Sequence, residues 1–178
     1  MMHVPAQPIE TPIVASAAPD ASVLTTMRFG APAAQVWQGL MFYEQIDARP
    51  PLHLRLLLPV PIRTEGDKER VGDEARCVYD GGHLIKRVTQ IDPGRRYAFE
   101  VTEQQLMIGG GLRLSGGEYV LREIAPFRSE VSVTTRYVSP RRPRWLWRPI
   151  EAAVCHAFHR YILRAMRREV EGAQARAR

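Results

Sequence analysis

Residues 131–171 read VSVTTRYVSPRRPRWLWRPIEAAVCHAFHRYILRAMRREVE, and the spacing of their apolar residues changes near Pro140. Before that proline, apolar and polar residues alternate, which is typical of a strand with one buried face. From Arg144 to Glu171 the apolar residues recur at the spacing of a helix, and an apolar stripe of this length has to be covered. The stretch therefore predicts a strand followed by a long helix that packs on a sheet.

The predicted helix has an apolar stripe and a polar side. In a helical projection the stripe contains Ile150, Val154, Ala157 and Tyr161, flanked by Trp147, Phe158 and Ala165. The polar side contains Arg148, His156, His159 and Arg167. We expect the stripe to lie on the concave face of the sheet. The two histidines form an H-x-x-H pair, which we expect to face solvent without binding a metal.

The residues upstream of this stretch predict an antiparallel meander. Strand-like alternation covers residues 74–80, 83–91, 97–102 and 112–124, and residues 131–137 add a fifth strand. Turn residues separate them, first Asp80-Gly81-Gly82 and then Asp92-Pro93-Gly94. Inside the fourth of these strands, Gly116-Gly117 predicts a bulge or a sharp bend.

The N-terminal part predicts a strand, a helix and a loop. Ser22–Phe29 is rich in β-branched residues, and Ala33–Gln45 has helical spacing. Residues 49–63 contain four prolines, which exclude a helix and indicate an apolar, lid-like loop. We expect residues 1–20 to be a flexible tail, 21–172 a single domain and 173–178 a flexible end. The prediction is an α+β fold with a curved antiparallel sheet of about six strands around a long C-terminal helix.

Composition excludes several classes of protein. With 45% hydrophobic and 25% charged residues, the chain of 178 residues is typical of a globular domain. Its two cysteines, Cys77 and Cys155, are far apart and make a zinc knuckle or a disulfide framework improbable. The longest apolar run falls well short of the ~20 residues of a membrane span. We expect a cytoplasmic protein without cofactor or metal.

Positive charge is concentrated at the C-terminal end. Residues 139–178 hold ten arginines against three glutamates, whereas the rest of the chain carries 15 basic and 16 acidic residues. In residues 140–149 the arginines Arg141, Arg142 and Arg144 lie beside tryptophans such as Trp145, and one interpretation is peripheral contact with an anionic membrane. The apolar residues 52–62 could insert beside them. The alternative is that the arginines only solvate the start of the helix while Trp147 belongs to its core stripe. No nucleic-acid-reading motif accompanies this charge, so nucleic-acid binding is not predicted.

Four segments of the sequence resemble segments of proteins in the SRPBCC superfamily, whose START-like and polyketide-cyclase-like members have the helix-grip fold. They are APAAQVWQGL at 31–40, VGDEARCVYDGG at 71–82, RVTQIDPGRRYAFEV at 87–101 and GGEYVLREI at 116–124. The resemblance covers residues 22 to about 170. It implies a cavity between the sheet and the C-terminal helix, which members of the superfamily use for lipids, sterols, polyketides or plant hormones. The segments carry no catalytic residues, so the function depends on the site.

Inward positions of the predicted elements give a candidate ligand-binding set. The set is Trp37, Tyr79, Phe99, Val101, Val133, Thr135, Tyr137, Val154 and Tyr161. The alternative for each residue is that it packs in a core without a cavity. The tyrosines are the stronger candidates for ligand binding, because a buried hydroxyl needs a hydrogen-bond partner that a ligand could supply. Cys77 also has inward parity and is interpreted as a core cysteine.

Two residues are candidates for acid–base chemistry. His83 could act as a general base at the cavity mouth, although a shift of one residue in strand register reverses its face. Glu103 has the parity of Phe99 and Val101 and could project inward, with a solvent-exposed glutamate as the alternative. Because no spaced set of acid and base residues is present, the sequence favours binding of a hydrophobic molecule such as a lipid or polyketide. A polyketide cyclase, aromatase or dehydratase remains the alternative.

Overall fold

The computed structural model describes residues 19–42, 61–108 and 110–176. The elements are, in chain order, β1 (Ala21–Phe29), α1 (Ala33–Phe42), β2 (Pro61–Gly66), β3 (Glu74–Tyr79), β4 (Gly82–Asp92), β5 (Arg96–Gln105), β6 (Arg113–Ala125), β7 (Arg128–Val138) and α2 (Arg144–Arg176). The predicted α+β architecture of a sheet around a long C-terminal helix is confirmed.

The described strands form an antiparallel sheet in the order β1-β7-β6-β5-β4-β3-β2. The sheet has seven strands where about six were expected. The additional strand is β2, whose first residue, Pro61, belongs to the predicted proline-rich loop. Proline removes a ladder hydrogen bond and is tolerated at the edge of a sheet, which is where β2 lies. Residues 43–60, the remainder of that loop included, lie outside the described part of the chain.

Bulges interrupt three strand pairs and curve the sheet. In the β6–β7 pair the register shifts between Leu114 and Gly116, which confirms the predicted bulge. Gly116 has a φ of 151°, and a Cβ there would collide with the carbonyl oxygen of Phe99. The β4–β5 pair has two further shifts, one of which leaves Thr102 unpaired between Val101 and Glu103.

The main core occupies one end of the molecule. It joins α1, the C-terminal half of α2 and the inner face of the sheet through Phe29, Val36, Trp37, Leu40, Tyr119, Val131, Leu163, Met166 and Val170. A second cluster on β3, β4 and β5 contains Cys77, Leu84, Val101, Leu106 and Ile108. Among the described residues these two clusters are separate, and the candidate site lies between them.

The fully buried positions of α2 lie on a different face from the predicted stripe, of which Val154 and Tyr161 are half-buried on the side of the sheet. The buried positions are Glu151, His159, Ile162, Leu163, Met166 and Val170. Ile150 from the predicted stripe is 46% exposed, and His159 from the predicted polar side is 1% exposed. The expectation that His159 faces solvent is therefore wrong. The polar partners of this histidine on the sheet, described below, are the physical reason.

The helix α2 also continues beyond its predicted end at Glu171 to Arg176. The division into a tail, a domain over 21–172 and a C-terminal end stays a prediction. Within the described ranges no helix is long and apolar enough to cross a membrane.

Candidate functional site

A cavity of about 310 Å³ lies between the inner face of the sheet and the N-terminal half of α2. Its size falls at the lower end of the range of small-molecule sites. Most of the wall is apolar or aromatic, with Leu84, Phe99, Val101, Leu114 and Tyr119 from the sheet and Val154, Phe158 and Ile162 from α2. Two lining residues, Ile62 and Ile150, are 59% and 46% exposed, so the cavity reaches solvent between β2 and the start of α2.

Eight of the nine predicted ligand-binding residues line this cavity. They are Tyr79, Phe99, Val101, Val133, Thr135, Tyr137, Val154 and Tyr161. Trp37 is the exception, because α1 places its side chain in the main core at 9% exposure. Cys77, interpreted as a core cysteine, is buried and also contributes to the cavity wall. That these residues bind a ligand stays a prediction.

His83 and Glu103 lie together, but on the outer face of the sheet. Nε2 of His83 is 3.1 Å from Oε1 of Glu103, and Nδ1 is 3.3 Å from the guanidinium of Arg76. Leu84, the residue after His83, points into the cavity, and the unpaired Thr102 reverses the parity of Glu103 relative to Val101. Neither residue is among those that line the cavity, so the expectation that Glu103 projects inward is wrong.

A polar cluster joins α2 to the sheet in the cavity wall. The ring of His159 lies 2.9 Å from Thr25 Oγ1 through Nδ1 and 2.8 Å from Thr135 Oγ1 through Nε2. Thr25 also contacts Nδ1 of His156 at 2.7 Å, and the Cys155 sulfur lies 3.5 Å from His159. Burial, with a further contribution from His156, lowers the pKa of His159 to about 4. The ring is therefore neutral at neutral pH, and both its nitrogens are engaged within the protein.

The two histidines do not form a metal centre with other described residues. No group of three or more histidine, cysteine, aspartate or glutamate side chains within the described ranges has the arrangement of a metal site. The cysteine beside them is also not activated, because burial raises the pKa of Cys155 to about 11. A thiolate nucleophile is not available at neutral pH from this residue.

Arg144, predicted to face an anionic membrane, is instead paired with two carboxylates of the protein. Its guanidinium lies 3.0 Å from Glu151 and 3.6 Å from Asp20. The side chain of Glu151 is 5% exposed and also accepts a hydrogen bond from Ser139. An arginine whose charge is neutralised in this way adds little attraction to a membrane surface, so its expected role is corrected.

Tyr137 is one of the residues that line the cavity. The hydroxyl is buried and has no hydrogen-bond partner among the described residues. Burial and the nearby carboxylate of Glu151 raise the pKa of Tyr137 to about 12, so the phenol stays protonated. That a ligand partners a buried tyrosine hydroxyl of the cavity stays a prediction.

Sequence reasoning missed several polar residues in and beside the cavity wall, among them Lys86, Gln104 and Arg141. Lys86 has inward parity between Leu84 and Val88, and its ammonium lies 5.0 Å from the centre of the Phe99 ring. Gln104 binds the loop between β5 and β6, and Arg141 lies in the wall before α2. The inward parity of Lys86 is readable from its neighbours, whereas the other two positions depend on tertiary contacts.

The curved antiparallel sheet, the long helix across it and the cavity between them define a helix-grip fold. The structure is similar to the Zhui aromatase/cyclase from Streptomyces sp. R1128, with a TM-score of 0.59 and 20% identity over 85% of this chain and 93% of the other. It is also similar to a START superfamily protein from Mycobacterium smegmatis, with a TM-score of 0.60 and 11% identity over 85% and 98%.

A norcoclaurine synthase from Thalictrum flavum has a TM-score of 0.58 at 14% identity, over 86% of this chain and 96% of the other. No family model matches the chain, and no curated protein matches it in sequence. Likenesses at these identities show the fold alone, and the function has to be argued from the site.

Proposed function

We propose that the protein binds a hydrophobic small molecule, such as a lipid or a polyketide, in the cavity between the sheet and α2. The observation that carries this proposal is an apolar cavity of about 310 Å³ that reaches solvent at one end. A cavity of this kind costs stability when empty, because its lining loses packing contacts. A bound apolar molecule would replace those contacts and remove apolar surface from water.

Binding is favoured over catalysis because the histidine and the glutamate of the wall, His159 and Glu151, are engaged with other groups of the protein. The two nitrogens of His159 face Thr25 and Thr135, and Glu151 is held by Arg144 and Ser139. The candidate acid–base residues His83 and Glu103 lie on the outer face of the sheet. A cyclase, aromatase or dehydratase needs a proton donor or acceptor within reach of the bound molecule, and neither of these two candidates is among the residues that line the cavity.

Native mass spectrometry of gently purified protein tests this function. We expect a species heavier than the chain by the mass of a small organic molecule, and its loss after organic extraction. The extracted protein should then bind an uncharged apolar dye such as Nile red, with saturation at one molecule per chain. A protein that carries no adduct and binds no apolar probe would contradict the proposal.

Peripheral docking on an anionic membrane is a second candidate, favoured by the exposed residues at the start of α2. Trp145 is 78% exposed and Leu146 43% exposed, and Arg142 and Arg148 are exposed beside them. Tryptophan prefers the membrane interface, and each arginine near an anionic surface contributes about 1 kcal/mol. This surface adjoins the end at which the cavity reaches solvent, since Ile150 belongs to both.

Flotation with vesicles tests the docking. We expect recovery with vesicles that contain phosphatidylglycerol and little with phosphatidylcholine alone. Arg142→Glu should weaken binding to anionic vesicles by roughly tenfold or more, because it changes the local charge by two. The matched control is Arg28→Glu, at an exposed position of β1 remote from α2's first turn. Equal recovery of both variants and of the unmodified protein would contradict docking through this surface.

A further inference from the structure

Arg141 is held in a defined position in the cavity wall. Its guanidinium carbon lies 4.3 Å from the centre of the Trp147 ring, a stacking contact that orients the flat group. On its other side the guanidinium approaches Gly110, where an added Cβ would lie 2.8 Å from Nη2 of Arg141. Gly110 also has a φ of 73°, which favours glycine. Any larger residue at 110 would displace the guanidinium.

The loop that presents Gly110 is fixed by Gln104. The side-chain amide of Gln104 donates to the carbonyl oxygens of Leu106 and Leu112, each at 2.9 Å. Its carbonyl oxygen accepts from the backbone N–H of Leu114 at 2.8 Å. These three hydrogen bonds join both ends of the loop, so Gly110 and the arginine against it have a fixed relation to the cavity.

The charge of Arg141 is not neutralised within the described residues. No carboxylate in the described ranges lies within ion-pair distance of its guanidinium. Glu151, which also lines the cavity, is taken by Arg144 and Ser139. Arg63 and Lys86 add positive charge to the wall, and Arg63 is paired with Glu65. The wall therefore attracts a negative group at the end of the cavity where Arg141 lies.

We propose that the bound molecule carries a carboxylate, which Arg141 receives, while its apolar part lies against Phe99 and Val101. This inference rests on the proposed ligand-binding function and names the class of ligand, an amphipathic organic acid. The planar guanidinium of an arginine can donate two parallel hydrogen bonds to the oxygens of one carboxylate. Stacking on Trp147 holds the guanidinium of Arg141 in place, so the Arg141 side chain loses little conformational entropy when the carboxylate binds.

Calorimetric titration of the extracted protein with dodecanoate and dodecanol tests the inference, because the two molecules share a chain and differ in charge. We expect dodecanoate to bind at least tenfold more tightly at about pH 8. Arg141→Gln should weaken dodecanoate by about tenfold or more and leave dodecanol unchanged. Gly110→Ala should weaken dodecanoate in the same direction, because it displaces the guanidinium. Arg160→Gln removes the same charge from an exposed position of α2 and should change neither.

The outcomes separate this inference from the function on which it rests. Equal affinity for dodecanoate and dodecanol, or a carboxylate preference that survives in Arg141→Gln, would overturn the role of Arg141 while hydrophobic binding stands. If dodecanoate, dodecanol and Nile red all fail to bind, the role of Arg141 and the proposed hydrophobic binding are both overturned. Circular dichroism of each variant shows whether it is folded. If Arg141→Gln does not fold, Gly110→Ala still tests the inference, because it keeps Arg141 and only displaces its guanidinium.

Discussion

Nε2 of His159 on α2 lies 2.8 Å from the hydroxyl of Thr135 on β7, so a polar contact joins the helix to the sheet inside the cavity wall. Thr25 on β1 contacts Nδ1 of the same ring at 2.9 Å. His159 is 1% exposed, and leaving any of these buried groups without a partner would cost about 1–3 kcal/mol. The contact therefore helps to set the rotation of α2 about its own axis.

Acid should destabilise the fold through His159. Burial lowers its pKa to about 4 from 6.5. Between these two pH values the histidine binds a proton in the unfolded chain and stays neutral in the folded chain. The contribution of neutral His159 to the free energy of unfolding is therefore complete above pH 6.5 and is lost as the pH falls towards 4. We expect a loss of about 2 kcal/mol in the free energy of unfolding between about pH 7.5 and pH 5, measured with urea. His159→Gln should remove this pH dependence of the free energy of unfolding, and His156→Gln should largely keep it. An unchanged pH dependence in His159→Gln would contradict the assignment.

Glu151→Gln should destabilise the protein by about 2–4 kcal/mol, measured by chemical denaturation at neutral pH. The reason is that the charge of Arg144 would lose a partner at 3.0 Å whose side chain is 5% exposed. The matched control is Glu130→Gln, which breaks the pair with Arg28, whose side chain is 79% exposed. A change below about 0.5 kcal/mol is expected there. Similar effects in the two variants would contradict a special role of the buried pair.

Val101→Trp should block the cavity. Val101 is 7% exposed and lines the cavity from β5, so an indole at this position would occupy the space of the ligand. We expect the affinity for Nile red to fall by at least about tenfold, with a stability cost of no more than about 1–3 kcal/mol. Leu24→Trp, at a position of β1 that is 58% exposed, is the control. Unchanged dye binding in Val101→Trp would place the dye elsewhere.

Cys155 should react slowly with thiol reagents. Burial raises its pKa to about 11 from 9.0, which reduces the thiolate fraction near neutral pH by about 100-fold. Cys77→Ser leaves Cys155 as the single cysteine of the chain, and its rate of modification should keep rising up to about pH 10. A rate that levels off near pH 9 would contradict the raised pKa. Urea should restore the reactivity of an ordinary thiol.

Much of the fold is predictable because periodicity is a local property. The alternation of the meander, the Asp80-Gly81-Gly82 turn and the helical spacing after Pro140 each depend on residues close in sequence. The bulge at Gly116 was predicted for the same reason, since a pair of glycines in a strand marks it. The strand β2 was missed, because local rules treat proline as a strand breaker while its tolerance depends on whether the strand lies at an edge.

The sequence by itself determined the order of the described elements other than β2 and the inward parity of six strand residues that line the cavity. Tertiary structure decided which face of α2 is buried, the outward position of Glu103 and the place of Arg141 between Trp147 and Gly110. The physical reason is that these features join residues far apart in the chain. Thr25 and His159 are 134 positions apart, and a single unpaired residue, Thr102, reverses the faces of the residues after it. Local spacing cannot register either effect, since both depend on how the sheet closes around the helix.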